Sequence, residues 1–221
     1  ALEIGPAPVH GVTMTGELSQ RFRTKADGVD FILGALEEAL PEATLQVLGT
    51  DGQFMAPASA RRSPLLAAAS NWVATAMMLA QDWPDVIMID MGSTTTDIIP
   101  ISGGSVVALG RTDPDRLASG ELVYTGLLRT RAEALVRGVP WKRGRITVAP
   151  DDFALVADAH LWQGTITAED CTQPMADGGP ATREAAGDRL ARLVCADRTM
   201  ATEEDIGLIA DAIVEAQLGC I

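Results

Sequence analysis

The feature that most constrains the fold is a polar segment of eight residues held between two apolar runs. Residues 90–97 read DMGSTTTD; residues 86–89 before them are all apolar, and residues 97–101 behind them are mostly so. Four consecutive apolar residues are typical of a fully buried strand. The Gly103-Gly104 pair then predicts a tight turn into a third run at residues 105–109. The sequence therefore predicts an antiparallel meander with a polar bend after its first strand.

Strand and helix patterns alternate in the first half of the chain. Apolar residues at helical spacing predict a helix over residues 27–41, ended by Pro41, and a short strand follows at residues 45–48. Residues 63–81 carry no charge, but they are rich in alanine and contain polar residues near their middle. Such a segment gains little from lipid, so we expect a buried helix capped by Ser63 and not a membrane span.

The second half is predicted to be helical. Residues 151–161 and 182–196 each fit a helix, and a last helix starts at Thr202, with Asp205 three residues on as in a capping box. Together with the strands of the first half, these helices make the chain an α/β protein.

Charge and cysteine content exclude several classes of function. Thirty Asp and Glu against 17 Lys and Arg give a net charge of −13, which repels nucleic acid and acidic membrane surfaces. The three cysteines, Cys171, Cys195 and Cys220, are odd in number and lack metal-binding spacing. The start of the chain has neither a basic segment nor an apolar one. We therefore expect a cytoplasmic protein that binds neither nucleic acid nor membrane; the oligomeric state is left open.

The polar bend has the composition of a phosphate-binding loop. A strand delivers Asp90 to its carboxyl end, and glycine lets the backbone approach a ligand closely. Carboxylates face a phosphate only across a cation, so Asp90 or Asp97 would hold Mg²⁺. The candidate phosphate ligands in the bend are Gly92, Ser93, Thr94, Thr95 and Thr96. The same pattern also fits a tight hairpin whose threonines favour strands, and the spacing alone leaves both interpretations open.

The bend also resembles a known loop. The run IDMGSTTTDIIPI is similar to the second phosphate loop of the superfamily of sugar kinases, heat-shock chaperones and actin, in the version carried by hydantoinase and oxoprolinase relatives. Three further stretches, at residues 12–22, 109–130 and 177–197, resemble one branch of those relatives. That branch is linked to tetrahydromethanopterin-dependent one-carbon transfer and includes the furan-methanamine synthases of methanofuran biosynthesis.

The resemblance implies a fold and an activity. The fold is a two-lobed, actin-like (ribonuclease H-like) α/β architecture, with residues 1–84 in the first lobe and the inter-lobe segment and residues 85–221 in the second. The activity is transfer of a diphosphate-activated aminomethyl-furan to the phenol oxygen of an amine such as gamma-glutamyltyramine, with release of pyrophosphate. A phosphorylated small molecule is the implied partner, Mg²⁺ the implied cofactor, and ATP a further possibility.

Against this background three more residues are candidates for the site. Glu17 and Glu121 are carboxylates beside glycine, where either could orient an amine or accept a phenolic proton; each also fits a carboxylate that interacts with a helix dipole. Arg111 could clamp a diphosphate, or it could pair with the aspartates that follow it. The catalytic candidates are thus Asp90, Glu17 and Glu121.

The sequence departs from the family pattern at both ends. A glycine-rich first phosphate loop and a closing strand are missing, so the chain is expected to be truncated on both sides. Two alternatives therefore stay open. One is an ATP-dependent kinase or hydantoinase-like enzyme on the same fold, and the other is a noncatalytic protein that binds a nucleotide or metabolite.

Overall fold

The first sheet is built from a strand, a helix and a parallel strand. The computed structural model describes residues 7–221, beginning with β1 (Val9–Val12), α1 (Lys25–Ala39) and β2 (Thr44–Leu48). β1 and β2 pair in parallel, with Val12 opposite Val47, and the short β3 (Phe54–Met55) pairs antiparallel with β2. The carboxyl ends of β1 and β2 therefore lie at the same edge of the sheet.

The helix between these strands is set by a local signal. Thr24 and Asp27 form a capping box, in which each side chain accepts a hydrogen bond from the other residue's backbone N–H. Two otherwise unpaired donors at the start of the helix are thus satisfied. Val29 and Leu33 are buried on one face, and the helix ends before Pro41. The helix predicted over residues 27–41 is confirmed, but it begins and ends two residues earlier, at Lys25 and Ala39.

Two helices, α3 (Pro64–Ala67) and α4 (Asn71–Asp82), replace the single helix predicted over residues 63–81, and a further short helix, α2 (Pro57–Arg62), precedes them. The chain breaks after α3, where Ala69 has a φ of 51°, a left-handed value that ends a helix. Ser63 makes no side-chain cap. Among residues 7–221, no helix is both long and apolar enough to cross a membrane.

The second sheet carries the polar bend between its first two strands. Its order is β4 (Val86–Met91), β5 (Thr96–Ser102) and β6 (Ser105–Val106), with β7 (Leu122–Val123) also pairing with β5. β5 and β6 are antiparallel, and both turn glycines, Gly103 and Gly104, have positive φ. This confirms the turn predicted from the glycine pair, because a tight hairpin turn requires residues that adopt left-handed conformations easily.

The prediction that residues 86–89 are fully buried is wrong. Ile87 and Ile89 are 63% and 59% exposed, and only Met88 points into the core. Successive side chains of a strand point to opposite faces, and the face of β4 that carries Ile87 and Ile89 is exposed in the described part of the chain, whereas Met88 on the other face is buried. An apolar run identifies a strand, but it does not say whether both faces of that strand are covered.

The rest of the chain is mostly helical. It contains α5 (Asp113–Ser119), α6 (Ala132–Leu135), α7 (Val156–Gln163), α8 (Arg183–Arg192) and α9 (Glu203–Leu218). The capping box of Thr202 and Asp205 is present as predicted. A hairpin of β8 (Gly138–Trp141) and β9 (Gly144–Thr147) was not foreseen.

The described chain divides into two compact units. Unit 1 comprises the residues up to Ile89 together with Asp97–Leu122, and unit 2 comprises Asp90–Thr96 and Val123–Ile221. Unit 1 has cores around Leu33 and Trp72; the largest core of unit 2 surrounds Ile209. The mixed α/β class is confirmed, and the two predicted lobes stay a prediction.

A buried ion pair joins two helices of unit 2. Nε of Arg189 on α8 lies 2.7 Å from Oδ1 of Asp158 on α7, and neither side chain is exposed to solvent. Asp158 also accepts a hydrogen bond from the N–H of Leu155. Burial raises the pKa of Asp158 to about 6, against the opposing effects of Arg189 and the Leu155 N–H. Each charge of this pair depends on the other, because water does not reach either one.

We predict that Arg189→Met lowers the free energy of unfolding by about 3–5 kcal/mol, because it leaves the Asp158 carboxylate buried without its cation. Arg192→Met is the matched control: Arg192 is 48% exposed and also contacts an aspartate, Asp177. It should cost less than about 1 kcal/mol. Urea unfolding at neutral pH measures both values, and equal costs for the two variants would contradict this account of the pair.

Candidate functional site

The polar bend turns its backbone carbonyls inward. The N–H of Gly92 donates to the carbonyl of Thr95 (2.8 Å), which closes the turn. The carbonyl of Gly92 accepts from Leu127, and that of Ser93 accepts from Leu128 and Arg129. Carbonyl oxygens repel anions, so a loop that uses them in internal hydrogen bonds presents a less negative face to a phosphate.

Gly126 lets a second segment, residues 125–130, approach the bend closely. A Cβ at this position would lie 2.5 Å from the N of Thr94 and 2.6 Å from the carbonyl oxygen of Gly92. No side chain fits there without moving the backbone. Below the bend, the hydroxyl of Thr96 donates to the carbonyl of Thr125 (2.8 Å). Thr96 is fully buried, so its hydroxyl holds the bend to this second segment.

A hydrogen bond from Gln217 on α9 holds the second segment in place. Gln217 is 1% exposed, and its amide Nε2 donates to the carbonyl of Gly126 at 3.1 Å. The hydroxyl of Thr130 accepts from the N–H of Gly126 at 2.8 Å. Oε1 of Gln217 lies 2.9 Å from the Nε2 of His160, which fixes the orientation of the amide group. A chain of hydrogen bonds thus runs from two helices to the back of the bend.

The remaining hydroxyls of the bend are available to a ligand. Ser93 is exposed, Thr94 and Thr95 are half-buried, and the Ser93 and Thr94 hydroxyls are 3.5 Å apart. Residues 92–96 of the bend, which were predicted to bind phosphate, belong to unit 2, whereas Arg111 belongs to unit 1. Three hydroxyls on one rigid turn are a suitable arrangement for hydrogen bonds to phosphate oxygens.

Asp90 fits the role of a magnesium ligand beside phosphate. Asp90 is an exposed residue of β4, two positions before Gly92. Mg²⁺ in phosphate sites is usually held by one or two carboxylates, with the other ligands coming from phosphate and water. No group of three or more His, Cys, Asp or Glu residues in the described part of the chain could hold a metal ion. Phosphate oxygens would therefore have to complete the coordination of any ion held by Asp90.

Asp97, the second predicted metal ligand, is engaged by an arginine of unit 1. Nη2 of Arg116 lies 2.5 Å from Oδ1 of Asp97 and donates to the carbonyl of Glu121 at 3.0 Å. The guanidinium group stacks over the ring of Trp72 at 4.2 Å. Arg116 is only 2% exposed, so the pairing with Asp97 compensates its buried charge. The metal-binding role of Asp97 stays a prediction.

Glu121 supports the backbone of a neighbouring loop. Its two carboxylate oxygens accept hydrogen bonds from the N–H groups of Leu109 (2.6 Å) and Gly110 (2.8 Å), and the hydroxyl of Ser119 donates at 2.8 Å. Burial alone would raise the pKa of Glu121, but these donors outweigh it and hold the pKa below its ordinary value. Glu121 thus holds the backbone of residues 109 and 110, and its predicted catalytic role stays a prediction.

Glu17 is also buried, but its hydrogen-bond environment differs from that of Glu121. It is 1% exposed, and among the described residues its Oε2 has no hydrogen-bond partner. Its main chain lies directly against Gly28 of α1, where an added Cβ would collide with the Glu17 backbone. The position of Glu17 is therefore fixed by backbone packing, while one of its carboxylate oxygens has no donor within residues 7–221.

Arg111 contacts the edge of the first sheet. Its Nη1 donates to the carbonyl of Thr50 at 2.5 Å, just beyond the end of β2. Both residues line a cavity of about 400 Å³ within unit 1. The predicted pairing of Arg111 with the aspartates after it is not among the ion pairs of the described residues. Its role in diphosphate binding stays a prediction.

Several residues of this arrangement are not predicted by the sequence. Gln217 lies in the last turns of α9, 91 residues from Gly126 in sequence, and no local pattern connects the two. Thr125 and Gly126 lie inside the family-specific stretch at residues 109–130, and a glycine beside a threonine was the signal that could have identified them.

Comparison with known proteins identifies the family. The Hydantoinase/oxoprolinase family model matches residues 9–221, nearly the whole chain. The chain belongs to the hydantoinase/oxoprolinase family. This confirms the resemblance that the bend and the three further stretches indicated.

Two curated relatives of this family member carry the same name, (4-{4-[2-(gamma-L-glutamylamino)ethyl]phenoxymethyl}furan-2-yl)methanamine synthase. The relative from Methanocaldococcus jannaschii is 39% identical over 197 residues, which are 88% of this chain and 59% of the relative. The relative from Methanococcus vannielii is 37% identical over 123 residues, 55% of each protein. The chain thus spans less than two thirds of the length of either relative.

We predict that Gly126→Ala displaces the bend and costs about 1–3 kcal/mol of stability, because the new methyl group would overlap the backbone at residues 92–94. Gly144→Ala is the matched control: a Cβ there meets nothing within 4 Å. Urea unfolding gives the cost, and hydrogen exchange of the amides at residues 92–95 reports the displacement. Unchanged exchange in Gly126→Ala would contradict the proposed close contact.

We predict that Glu121→Gln destabilises the protein by about 1–3 kcal/mol at pH 7, because an amide NH₂ would replace an oxygen that accepts from a backbone N–H. Folding lowers the pKa of Glu121. The stabilisation that the ionised Glu121 carboxylate gives the folded state is therefore fully present above the ordinary glutamate pKa, and it disappears as the pH falls through the lower, folded-state pKa. The difference between parent and variant should therefore shrink in acid. Exposed Glu38→Gln serves as control, and urea titrations across this pH range measure both; a difference that grows in acid would exclude the assignment.

Proposed function

We propose that this family member is a transferase of methanofuran-type cofactor biosynthesis, acting in the cytoplasm. It joins a diphosphate-activated aminomethyl-furan to the phenol oxygen of an amine such as gamma-glutamyltyramine. The names of the two relatives support this, because they describe a furan and a phenyl group connected through a phenoxymethyl ether. We also propose that the mixed α/β chain is part of an actin-like two-lobed fold.

The reaction replaces one carbon–oxygen bond with another. The phenol oxygen forms a bond to the methylene carbon of the furan, the bond from that carbon to the diphosphate oxygen breaks, and pyrophosphate leaves with the electron pair. The phenol loses its proton. Negative charge grows on the departing oxygens, so the protein contributes chiefly by positioning and by stabilising charge.

The bend at residues 92–95 has the features required to hold the diphosphate. The hydroxyls of Ser93, Thr94 and Thr95 can donate to its oxygens, and the rigid attachment through Gly126 keeps them in place as charge develops. Asp90 would hold Mg²⁺, which supplies positive charge for the leaving group. Arg111 is a further candidate for the diphosphate. The inward-turned bend is the observation that carries the proposal.

Calorimetric titration with pyrophosphate in the presence of Mg²⁺ tests the phosphate site. Asp90→Asn and Thr94→Val should each weaken binding about tenfold or more, equivalent to about 1.4 kcal/mol of binding free energy. Neither change removes a core contact, so the midpoint of thermal unfolding should stay near that of the parent. Exposed Asp82→Asn, at the end of α4, is the control and should bind as the parent does. Unchanged binding in both site variants would reject the assignment.

Turnover distinguishes the proposed activity from its alternatives. With the diphosphate-activated furan and gamma-glutamyltyramine, the protein should release pyrophosphate and form the ether. ATP hydrolysis without a furan substrate would instead favour a kinase or hydantoinase-like enzyme. Pyrophosphate binding without any turnover would favour a noncatalytic metabolite-binding protein.

A further inference from the structure

We propose that unit 1 contains a binding subsite for a primary ammonium group, formed by Glu17 with Thr50 and Ser70. The subsite rests on the proposed function for the identity of the amine, and it deepens that function by assigning a residue to the amine end of the substrate. Its physical basis is a set of three buried polar side chains, each with an oxygen that has no hydrogen-bond partner among residues 7–221.

The buried carboxylate is the strongest part of the argument. A carboxylate removed from water is stable only beside a cation or several donors. Glu121 satisfies this requirement with three donors, whereas Oε2 of Glu17 has none among residues 7–221. Glu17 is as fully buried as a core residue, at 1% exposure. A cationic ligand would supply the missing interaction.

Two hydroxyl groups are buried in the same way as the Glu17 carboxylate. Thr50 is 1% exposed and Ser70 is fully buried, and within the described part of the chain neither hydroxyl has a hydrogen-bond partner. Buried hydroxyls without partners are rare in folded proteins, because each loses its bonds to water. Three such groups in one unit indicate a place built for a polar ligand.

The topology brings the segments that carry Glu17 and Thr50 to one edge of the first sheet. Glu17 follows β1 and Thr50 follows β2, and the parallel register of these strands puts both carboxyl ends at the same edge. Ligands of open α/β sheets bind at such edges. The N–H of Thr50 donates to the carbonyl of Leu66 at 2.7 Å, which brings the segment leading to Ser70 beside Thr50. Ala68 in that segment packs in the same apolar cluster as Met14, three residues before Glu17.

The chemistry of the three groups matches an ammonium ion. An –NH₃⁺ group has three N–H donors and no acceptor. One carboxylate oxygen and two hydroxyl oxygens supply three acceptors and a single negative charge. A divalent metal would need more charged ligands, and the described residues contain no group of three metal-binding side chains. The names of the relatives end in methanamine, so the proposed substrate carries such a group on its furan.

The test uses furan-2-ylmethanamine as the probe, with furan-2-ylmethanol as a neutral ligand of nearly equal size. NMR titration of the chain should show that the amine binds about tenfold or more tightly than the alcohol. Glu17→Gln should abolish this preference, and Thr50→Val should weaken amine binding several-fold. Exposed Glu38→Gln should bind the amine as the parent does. Equal binding by parent and Glu17→Gln, or no binding to the parent, would overturn the proposal.

A stability measurement separates binding from a structural role. If Glu17 serves a ligand, Glu17→Gln removes no hydrogen bond to Oε2 that the described residues make, so its thermal midpoint should equal or exceed that of the parent. A lowered midpoint with unchanged preference for the amine would assign Glu17 to structure alone. Pyrophosphate binding should be unaffected by Glu17→Gln. If the parent binds the amine through Glu17 but binds no pyrophosphate, the proposed reaction fails while the ammonium subsite stands.

Discussion

The candidate site depends on one backbone contact, the seating of the bend at residues 92–95 on the segment that contains Gly126. A polar loop after a strand is usually mobile, because its carbonyls and amides are satisfied by water. Here the carbonyls of Gly92 and Ser93 accept from the amides of residues 127–129, and no side chain separates the two segments. The loop gains rigidity from bonds that also turn its negative atoms away from a ligand. That combination is the reason we propose an anion-binding turn and not an ordinary hairpin.

The two buried glutamates of unit 1 show how the same residue type can serve opposite purposes. Glu121 is surrounded by donors and holds the backbone of residues 109 and 110 in place. Glu17 is held rigidly by packing against Gly28, yet its Oε2 has no donor among the described residues. Natural proteins rarely leave a buried charge uncompensated without a functional reason. The contrast between the two is the basis on which we propose recognition for Glu17, while the catalytic role predicted for Glu121 stays a prediction.

Local physics explains which parts of the fold were predictable from sequence. The start of α9 follows from the capping pair Thr202 and Asp205, and the hairpin turn follows from Gly103 and Gly104, because these signals act between neighbouring residues. The residues of the bend likewise resembled those of the family to which the chain belongs. The exposure of one face of β4 could not be predicted, because it depends on which elements pack on that face. The same holds for the support from Gln217 and for the burial of Glu17, which arise from residues distant in sequence.

A structure of the protein with Mg²⁺ and pyrophosphate bound tests the central claim most directly. The account predicts pyrophosphate oxygens within hydrogen-bond distance, about 2.5–3.2 Å, of the hydroxyls on residues 93–95. The metal ion would lie between Asp90 and the phosphate. Pyrophosphate bound elsewhere, with the threonine bend left in contact with solvent alone, would contradict the account.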